Sequence, residues 1–238
     1  MNFFEFSLGN QISKSCKKIE FPHHNQSRFR KPCGELLMKT VLSNNGLKQY
    51  VYPFKVYCKQ SIKASLEKML RRVGFKDLLH NGPVKSKSDT MHDVCDGKLY
   101  KEFKDNEGQL FFQDKRNIGF LLNIDWFNPF ERSEYSLGAV YLVIVNLPRN
   151  VRFDWENVIT LGLIPGPKEP SLHVNSFLRP VIDELLSFWE GLLINEGNYK
   201  ALYKAAIIGV SNDVPATRKI GGFMAHNANK GIYLILIV

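Results

Sequence analysis

The sequence has no apolar stretch approaching the length of about 18 residues that a membrane-spanning helix requires. Its first residues, Met-Asn-Phe-Phe-Glu-Phe, lack the basic start and the small-residue cleavage site of a signal peptide. Cysteine is scarce, with only four residues in the chain of 238. Without a secretory signal, four cysteines are not expected to form a disulfide framework. We therefore expect a protein that acts in the cytosol or the nucleus, without a membrane partner.

Basic charge is abundant but unevenly distributed. Hydrophobic residues make up 44% of the chain, which is enough for a globular core, and the net charge is +9. Residues 1–90 contain 17 Lys and Arg against 6 Asp and Glu, a net charge of +11, whereas residues 91–238 carry 15 against 17, or −2. This asymmetry favours an N-terminal region that binds a polyanion such as DNA. A solvated basic face without a partner is the alternative.

A loop-rich segment near the N-terminus contains Cys16, His23, His24 and Cys33. Zinc usually takes four ligands and often a C-x2-C pair, which is missing here. A Zn²⁺ site formed by Cys16, His24 and Cys33 is nevertheless one interpretation of this segment. In the other, the thiols are small buried groups and the histidines lie at the surface.

The segment that follows Ser61 has the apolar spacing of a helix that Ser61 caps and Gly74 ends. The apolar positions are Ile62, Leu66, Met69, Leu70 and Val73. The DNA contacts predicted from the basic side chains are Lys63, Lys68, Arg71 and Arg72 on this helix, with Arg28 and Arg30 upstream. Lys59 is predicted to lie on the same basic face. A polar linker at residues 80–92 predicts two regions, 1–90 and 91–238.

Beyond the linker the pattern changes to strands. Strands are predicted at residues 109–113, 118–124, 137–145, 158–164 and 205–210. A helix precedes the last strand, with Leu178, Val181, Ile182, Leu185, Trp189 and Leu192 on one face, and a short helix from Pro215 follows it. Pro180 is expected in the first turn of the longer helix.

Two of the apolar runs lead to an aspartate: residues 118–124 stop at Asp125, and residues 205–210 are followed by Ser211, Asn212 and Asp213. A single aspartate at a strand end is more often a turn former. Two carboxylates at neighbouring strand ends can instead share a pair of divalent metal ions over a phosphodiester. The pair therefore predicts phosphoryl transfer on nucleic acid.

Four blocks of the sequence form a distinctive series: Ile-Asp-Trp-Phe-Asn-Pro-Phe (124–130), Leu-Gly-Leu-Ile-Pro-Gly-Pro-Lys-Glu-Pro (161–170), Phe-Leu-Arg-Pro-Val-Ile-Asp-Glu-Leu (177–185) and Asn-Asp-Val-Pro-Ala-Thr-Arg-Lys-Ile-Gly-Gly-Phe (212–223). They resemble blocks of CACTA (En/Spm)-type transposases. Residues 96–103 and the Cys/His segment resemble blocks upstream of the catalytic core. The resemblance runs from about residue 13 to residue 231.

The resemblance implies an α/β fold: an incomplete ribonuclease-H-like core, with a mixed sheet and flanking helices, preceded by a small basic region of loops and helix. It implies that Asp125 and Asp213 are the first two members of an Asp-Asp-Asp/Glu set that binds Mg²⁺. It further implies DNA as the partner and the nucleus as the location, and it leaves a homo-oligomer open.

The sequence departs from this family pattern at two places. Ser13 stands where relatives tend to have a cysteine, and a Cys-x-x-Cys pair expected after Gly231 is replaced by an apolar ending. Residues 214–238 contain no Asp or Glu that could supply a third carboxylate, and Asp183 and Glu184, upstream on the longer predicted helix, are expected to face solvent. We therefore expect a truncated, transposase-derived, DNA-binding protein with an inactive remnant of a metal site. The alternatives are a non-catalytic DNA-binding or interaction protein and a decayed gene product without function.

Overall fold

The computed structural model describes residues 14–17, 19, 23, 25–54, 56–83, 90–132, 134–170, 174–213, 216–217 and 220. The chain divides into two compact units, and the division falls between Tyr57 and Cys58. The sequence places a boundary near residue 90 instead. The structure thus assigns the basic helix after Ser61 to the second unit, where it packs against the sheet.

The first unit contains one hairpin. Strand β1 (Met38–Leu42) pairs antiparallel with strand β2 (Gln49–Pro53). A short 3-10 turn, Ser27–Arg30, precedes the hairpin. Most hairpin side chains are exposed, so this unit buries little apolar surface within the described residues. One face of the ribbon carries Lys39 opposite Tyr52 and Val41 opposite Tyr50.

The second unit is a mixed α/β structure built on a curled six-stranded sheet. The strands are β3 (Cys58–Lys59), β4 (Asn117–Phe127), β5 (Leu137–Ile144), β6 (Val158–Ile164), β7 (Leu192–Asn195) and β8 (Lys200–Val210). Their order across the sheet is β3-β6-β5-β4-β8-β7. β4 and β8 are parallel, and all other neighbours are antiparallel. The predicted strands at 118–124, 137–145 and 158–164 are confirmed.

Within the described residues, the helices that accompany this sheet are α1 (Ile62–Leu70), α2 (Phe75–Asn81), α3 (Lys98–Glu102) and α4 (Val174–Glu190). Helix α4 packs on β8, and α1 contacts both β6 and β7. The buried face of α4 consists of Val174, Phe177, Leu178, Val181, Leu185 and Phe188. No helix in the part of the chain that the structure describes is long and apolar enough to cross a membrane.

Helix α1 begins as predicted but ends earlier. The Ser61 hydroxyl accepts a hydrogen bond from the Ala64 amide at 3.3 Å, so Ser61 is the N-cap. The helix ends at Leu70, and Val73, expected in the apolar stripe, is fully exposed. Gly74, at φ +78°, begins α2 rather than ending α1 directly. A left-handed φ favours glycine, which explains the residue at this turn.

Glu184 of α4 binds the start of α1, contrary to the expectation that it faces solvent. Its carboxylate accepts hydrogen bonds from Lys59 Nζ at 2.7 Å, Ser61 Oγ at 2.6 Å and the Lys63 amide at 3.0 Å. Burial opposes ionisation, but these bonds outweigh it and lower the pKa of Glu184. Asp183 next to it is half exposed, as expected. Lys59 is therefore an internal ion-pair partner and lies in β3, not on the helix.

Three other predictions about the elements are wrong. Residues 109–113 contain a 3-10 turn, Phe111–Gln113, instead of a strand, because Asp105 folds the preceding segment by accepting from the amides of Glu107 and Gln109. Pro180 lies inside α4, beyond the first turn of the helix that begins at Val174. Leu192 belongs to β7, which forms a hairpin with β8, and Ile182 is partly exposed.

A buried ion pair connects the segment before α3 to the loop between β5 and β6. Arg152 is 3% exposed and donates to both carboxylate oxygens of Asp93, at 2.6 and 2.7 Å. Its guanidinium also donates to the carbonyls of Val145 and Leu147. Burial disfavours the charged carboxyl, but the Arg152 guanidinium still holds the pKa of Asp93 below its usual value. This pair fixes the segment against the sheet.

A second buried carboxylate, Glu196, connects α2 to the β7–β8 hairpin. Its side chain is 1% exposed and accepts hydrogen bonds from Lys76, from Tyr199 at 2.5 Å and from Tyr203 at 2.8 Å. Burial opposes ionisation, but the three donors outweigh it and lower the pKa of Glu196 to about 2. Because this pKa is below the ordinary 4.5, the ionised carboxylate stabilises the fold above that pH.

Replacing Glu196 with Gln is expected to lower the free energy of unfolding at pH 7 by roughly 1 to 3 kcal/mol, because charged hydrogen bonds to buried groups are lost. The difference from the wild type should shrink as pH falls from about 4.5 towards 2, where the wild-type carboxylate also becomes protonated. Urea unfolding at pH 7 and pH 3, followed by circular dichroism, measures both. Glu190→Gln, at an exposed position of α4, is the matched control. An equal loss of unfolding free energy in Glu196→Gln and Glu190→Gln would contradict the stabilising role of the buried Glu196 carboxylate.

Candidate functional site

Asp125 lies near the C-terminal end of β4, in the middle of the sheet. It is exposed, although the neighbouring Ile124 is buried, because side chains alternate between the two faces of the strand. Its partner across the antiparallel pair with β5 is the small Ala139. Within the described residues the Asp125 carboxylate has no hydrogen bond or ion pair, so its oxygens are available to a ligand.

Asp213 follows β8 and lies at the same end of the sheet as Asp125. The last paired residues of the two parallel strands are Leu122 and Val210. The chain continues alongside β4, since the Ser211 amide donates to the Leu122 carbonyl at 2.9 Å. If the register of this last pair were continued, Asp213 would fall opposite Asp125 on the adjacent strand.

Two asparagines that the sequence did not single out hold this segment. The Asn212 side-chain oxygen accepts from the Ile124 amide at 2.7 Å, and the Asn123 side-chain amide donates to the Ser211 carbonyl. They extend the parallel pairing beyond the end of β8. The only sequence signal is the run Ser-Asn-Asp, in which an asparagine directly precedes Asp213.

Asp213 also caps a helical turn. One carboxylate oxygen accepts from the Ala216 amide at 2.8 Å, and the Asp213 carbonyl accepts from the Thr217 amide at 3.0 Å. This is the turn-forming role that an aspartate at a strand end often has. The helix predicted from Pro215 is seen only at residues 216, 217 and 220, and its remainder lies outside the described residues. The second carboxylate oxygen of Asp213 makes no hydrogen bond in the described part.

The site thus offers two aspartates at adjacent strand ends, and carboxylate oxygens are the ligands that Mg²⁺ prefers. Among the described residues, no group of three or more His, Cys, Asp or Glu side chains could hold a metal ion. Of the zinc ligands considered, Cys16 is buried, Cys33 is exposed and His24 lies outside the described residues. None of the four cysteines, all of which are described, forms a disulfide.

The basic residues of α1 do not share one environment. Lys68 and Arg71 are exposed, and no ion pair involves either among the described residues. Lys63 is half-buried beside Glu184. Arg72 is tied to the protein itself: it donates to the Glu156 carbonyl at 2.6 Å and to the Asn157 side chain, and lies over the Phe75 ring. Arg28 and Arg30, in the first unit, are exposed.

Next to α1 is an open groove of about 300 Å³. Trp155 lines this groove and is 85% exposed. The remaining lining includes Gln60, Ser65, Lys68, Arg72 and Thr160. Val158 and Thr160 lie at the start of β6, whereas Leu163 pairs with Ala139, the partner of Asp125. The groove is thus towards the opposite end of the sheet from the aspartates.

Comparison with known protein families gives a match. A family model described as transposase family tnp2 matches residues 88–234, more than half of the chain. A search of curated proteins found no match. The matched range includes β4 to β8, α4 and both aspartates. The chain belongs to the tnp2 family of transposases.

Proposed function

We propose that this protein is a DNA-binding, CACTA-type member of the family that retains part of a two-metal site for cutting and joining DNA strands. The observation that carries the proposal is the position of Asp125 and Asp213 at the same end of two adjacent parallel strands. Three antiparallel strands (β4, β5 and β6), the helix α4, the short strand β7 and then β8, which is parallel to β4, favour a ribonuclease-H-like core, with Asp125 near the end of β4 and Asp213 after β8. A nucleus is the expected location for such a protein.

The local structure supports a metal-binding role. In the pairing of β4 with β8, Leu121 lies opposite Gly209 and Phe120 opposite Ile207, so one residue of β8 is extra and forms a bulge. Bulges are frequent next to active sites because they redirect the strand that follows. Here the bulge comes just before the segment that brings Asp213 alongside β4. Asn212 and Asn123 then act as positioning residues for this carboxylate.

Asp125 and Asp213 would hold Mg²⁺ through their carboxylate oxygens. Two such ions, when bound, activate the attacking oxygen and stabilise the leaving oxygen of a phosphodiester. Two carboxylates alone hold a pair of ions poorly, because each ion needs several fixed ligands. The residues described do not supply a third ligand, so we propose that the site binds cations but does not catalyse.

A polypeptide of these 238 residues is expected to bind Mn²⁺ weakly and not to nick supercoiled plasmid DNA in Mg²⁺ or Mn²⁺. Replacing both Asp125 and Asp213 with Asn should weaken Mn²⁺ binding by more than ~10-fold, because the charged oxygens are lost. Electron paramagnetic resonance of free Mn²⁺ measures the binding, and gel electrophoresis of the plasmid measures nicking.

The matched control is Asp183→Asn, which removes an exposed carboxylate of α4. Mn²⁺ binding that is unchanged in the double variant would overturn the assignment of the site. Nicking by the wild type that both single variants, Asp125→Asn and Asp213→Asn, abolish would overturn the proposed inactivity and reveal a third ligand.

A non-catalytic DNA-binding protein is the second candidate. It is favoured by the capping bond from Ala216 to Asp213, which gives this carboxylate a structural role without any metal. The two functions differ in the Mn²⁺ experiment, since only the first requires cation binding at the two aspartates. Both candidate functions require that exposed basic side chains bind DNA.

A further inference from the structure

The groove beside α1 has features that the metal site does not explain. A tryptophan that is 85% exposed is unusual, since large apolar side chains are normally buried at least in part. Trp155 is the first residue of a 3-10 turn, Trp155–Asn157. This turn leads into β6 and lies in the second unit, as does α1.

The turn that presents Trp155 is held from two sides. Arg72 donates to the carbonyl of Glu156 and to the side chain of Asn157, and its guanidinium is 3.7 Å from the Glu156 carboxylate. Asn157 is buried and donates to the Val151 carbonyl at 2.7 Å. The exposed ring therefore stands on a fixed backbone, which limits the entropy lost when a flat ligand stacks on it.

The surroundings of the ring combine cations, neutral polar groups and one carboxylate: Glu156 also lines the groove, and its carboxylate lies 3.7 Å from the Arg72 guanidinium. Lys68 lines the same groove, and Arg71, which directly follows α1, is exposed. Gln60 and Thr160, also in the lining, offer hydrogen-bonding side chains. An aromatic platform beside cations is the arrangement by which proteins bind unpaired nucleotides: a base stacks on the ring and the phosphates contact the cations.

We propose that this groove binds single-stranded DNA, with a base stacked on Trp155 and the adjoining phosphate at Lys68. Arg72 is a positioning residue that holds the turn carrying Trp155. The inference rests on the proposed function only in taking DNA as the ligand. The exposed cations Lys68 and Arg71 argue for this polyanion over an apolar protein segment as the occupant.

The test uses the full chain labelled with 5-fluorotryptophan, which places a fluorine probe at Trp126, Trp155 and Trp189. The variant Trp155→Phe identifies the resonance of Trp155. Oligothymidine of about ten nucleotides is the probe ligand, since single-strand sites span roughly 4 to 16 nucleotides. An abasic strand of the same length and a duplex are compared with it.

Oligothymidine is expected to shift the Trp155 resonance, and the abasic strand is expected to shift it much less. Trp155→Ala should weaken oligothymidine binding by about 5- to 100-fold, whereas Trp155→Phe should retain most of it. Lys68→Gln should cause a smaller loss that disappears at high salt, and Lys200→Gln, an exposed lysine at the start of β8, should cause none.

An unmoved Trp155 resonance at saturating oligothymidine, or equal affinity of the wild type and Trp155→Ala, would overturn the inference. So would equal binding of the abasic strand. Duplex binding by the same samples separates the two proposals. If the protein binds duplex DNA but oligothymidine does not shift the Trp155 resonance, only the groove proposal is contradicted. If the protein binds neither nucleic acid, the proposed function is contradicted as well.

Discussion

Duplex DNA binding by the full chain is expected to fall by roughly 100-fold or more when salt rises from about 50 to about 200 mM, without strong sequence preference. The first unit, residues 1–57, contains 9 Lys and Arg against 3 Glu, a net charge of +6. Its described cations are all exposed: Lys14, Lys17, Arg28, Arg30, Lys31, Lys39 and Lys48. Four or more phosphate contacts by such groups give this salt dependence through counterion release.

Combining Arg28→Gln, Arg30→Gln and Lys31→Gln should make the logarithmic salt slope shallower by up to about 3. Fluorescence anisotropy of a labelled duplex at several salt concentrations measures the slope. The control combines Lys98→Gln, Lys101→Gln and Lys200→Gln, which remove the same charge from exposed positions of the second unit. Binding that ignores salt, or an equal change in slope for both triple variants, would contradict a DNA-binding role for the first unit.

Replacing Arg152 with Met is expected to lower the free energy of unfolding by about 3 to 5 kcal/mol. The substitution removes five hydrogen bonds of the guanidinium and leaves the Asp93 carboxylate without its cation in a site that is largely closed to water. Small domains have a total stability of roughly 5 to 15 kcal/mol, so this loss would be a large fraction of it. Urea unfolding at pH 7 measures the change.

The pH dependence separates a lost charge pair from a simple packing defect. Without Arg152, burial should raise the pKa of Asp93, so the variant should recover stability as pH falls and this carboxyl becomes protonated. Adding Asp93→Asn should restore part of the loss at pH 7. Arg179→Met, which breaks an exposed pair with Asp183, should change stability by less than about 1 kcal/mol. If Arg152→Met lowered the free energy of unfolding as little as Arg179→Met, the stabilising role of the buried Arg152–Asp93 ion pair would be contradicted.

The strands of the sheet could be predicted because their apolar, β-branched runs are buried on both faces. β5 and β6 fall at nearly the positions that the sequence indicates. The β7–β8 hairpin could not be predicted in this way, since Leu192 also fits the helical spacing of α4. Length and spacing alone do not separate a short strand from the last turn of a helix.

The surroundings of individual charges were much harder to predict. Glu184 lies on a helix whose apolar face is evident, but its partners Lys59 and Ser61 are more than 120 residues away in the chain. Arg72 belongs to a basic run that suggests phosphate contacts, yet it binds Glu156 and Asn157. Helical periodicity shows which positions are buried, and it does not reveal a distant hydrogen-bonding partner. Asp125 and Asp213 can be selected from the sequence as candidate ligands because each follows a strand that the sequence itself predicts.

The parallel pairing of β4 and β8 also determines when the two aspartates meet during folding. Ile124 and Asn212 are 88 residues apart, so their contact requires closure of a long loop of chain. Hairpins between neighbouring strands close much shorter loops, and topologies dominated by distant pairs fold more slowly. Asp125 can thus take its place in the β4–β5 hairpin early, whereas Asp213 reaches it only after α4 and β8 have docked. The proposed cation site is therefore a late product of folding, and a nascent chain that has not completed β8 lacks it.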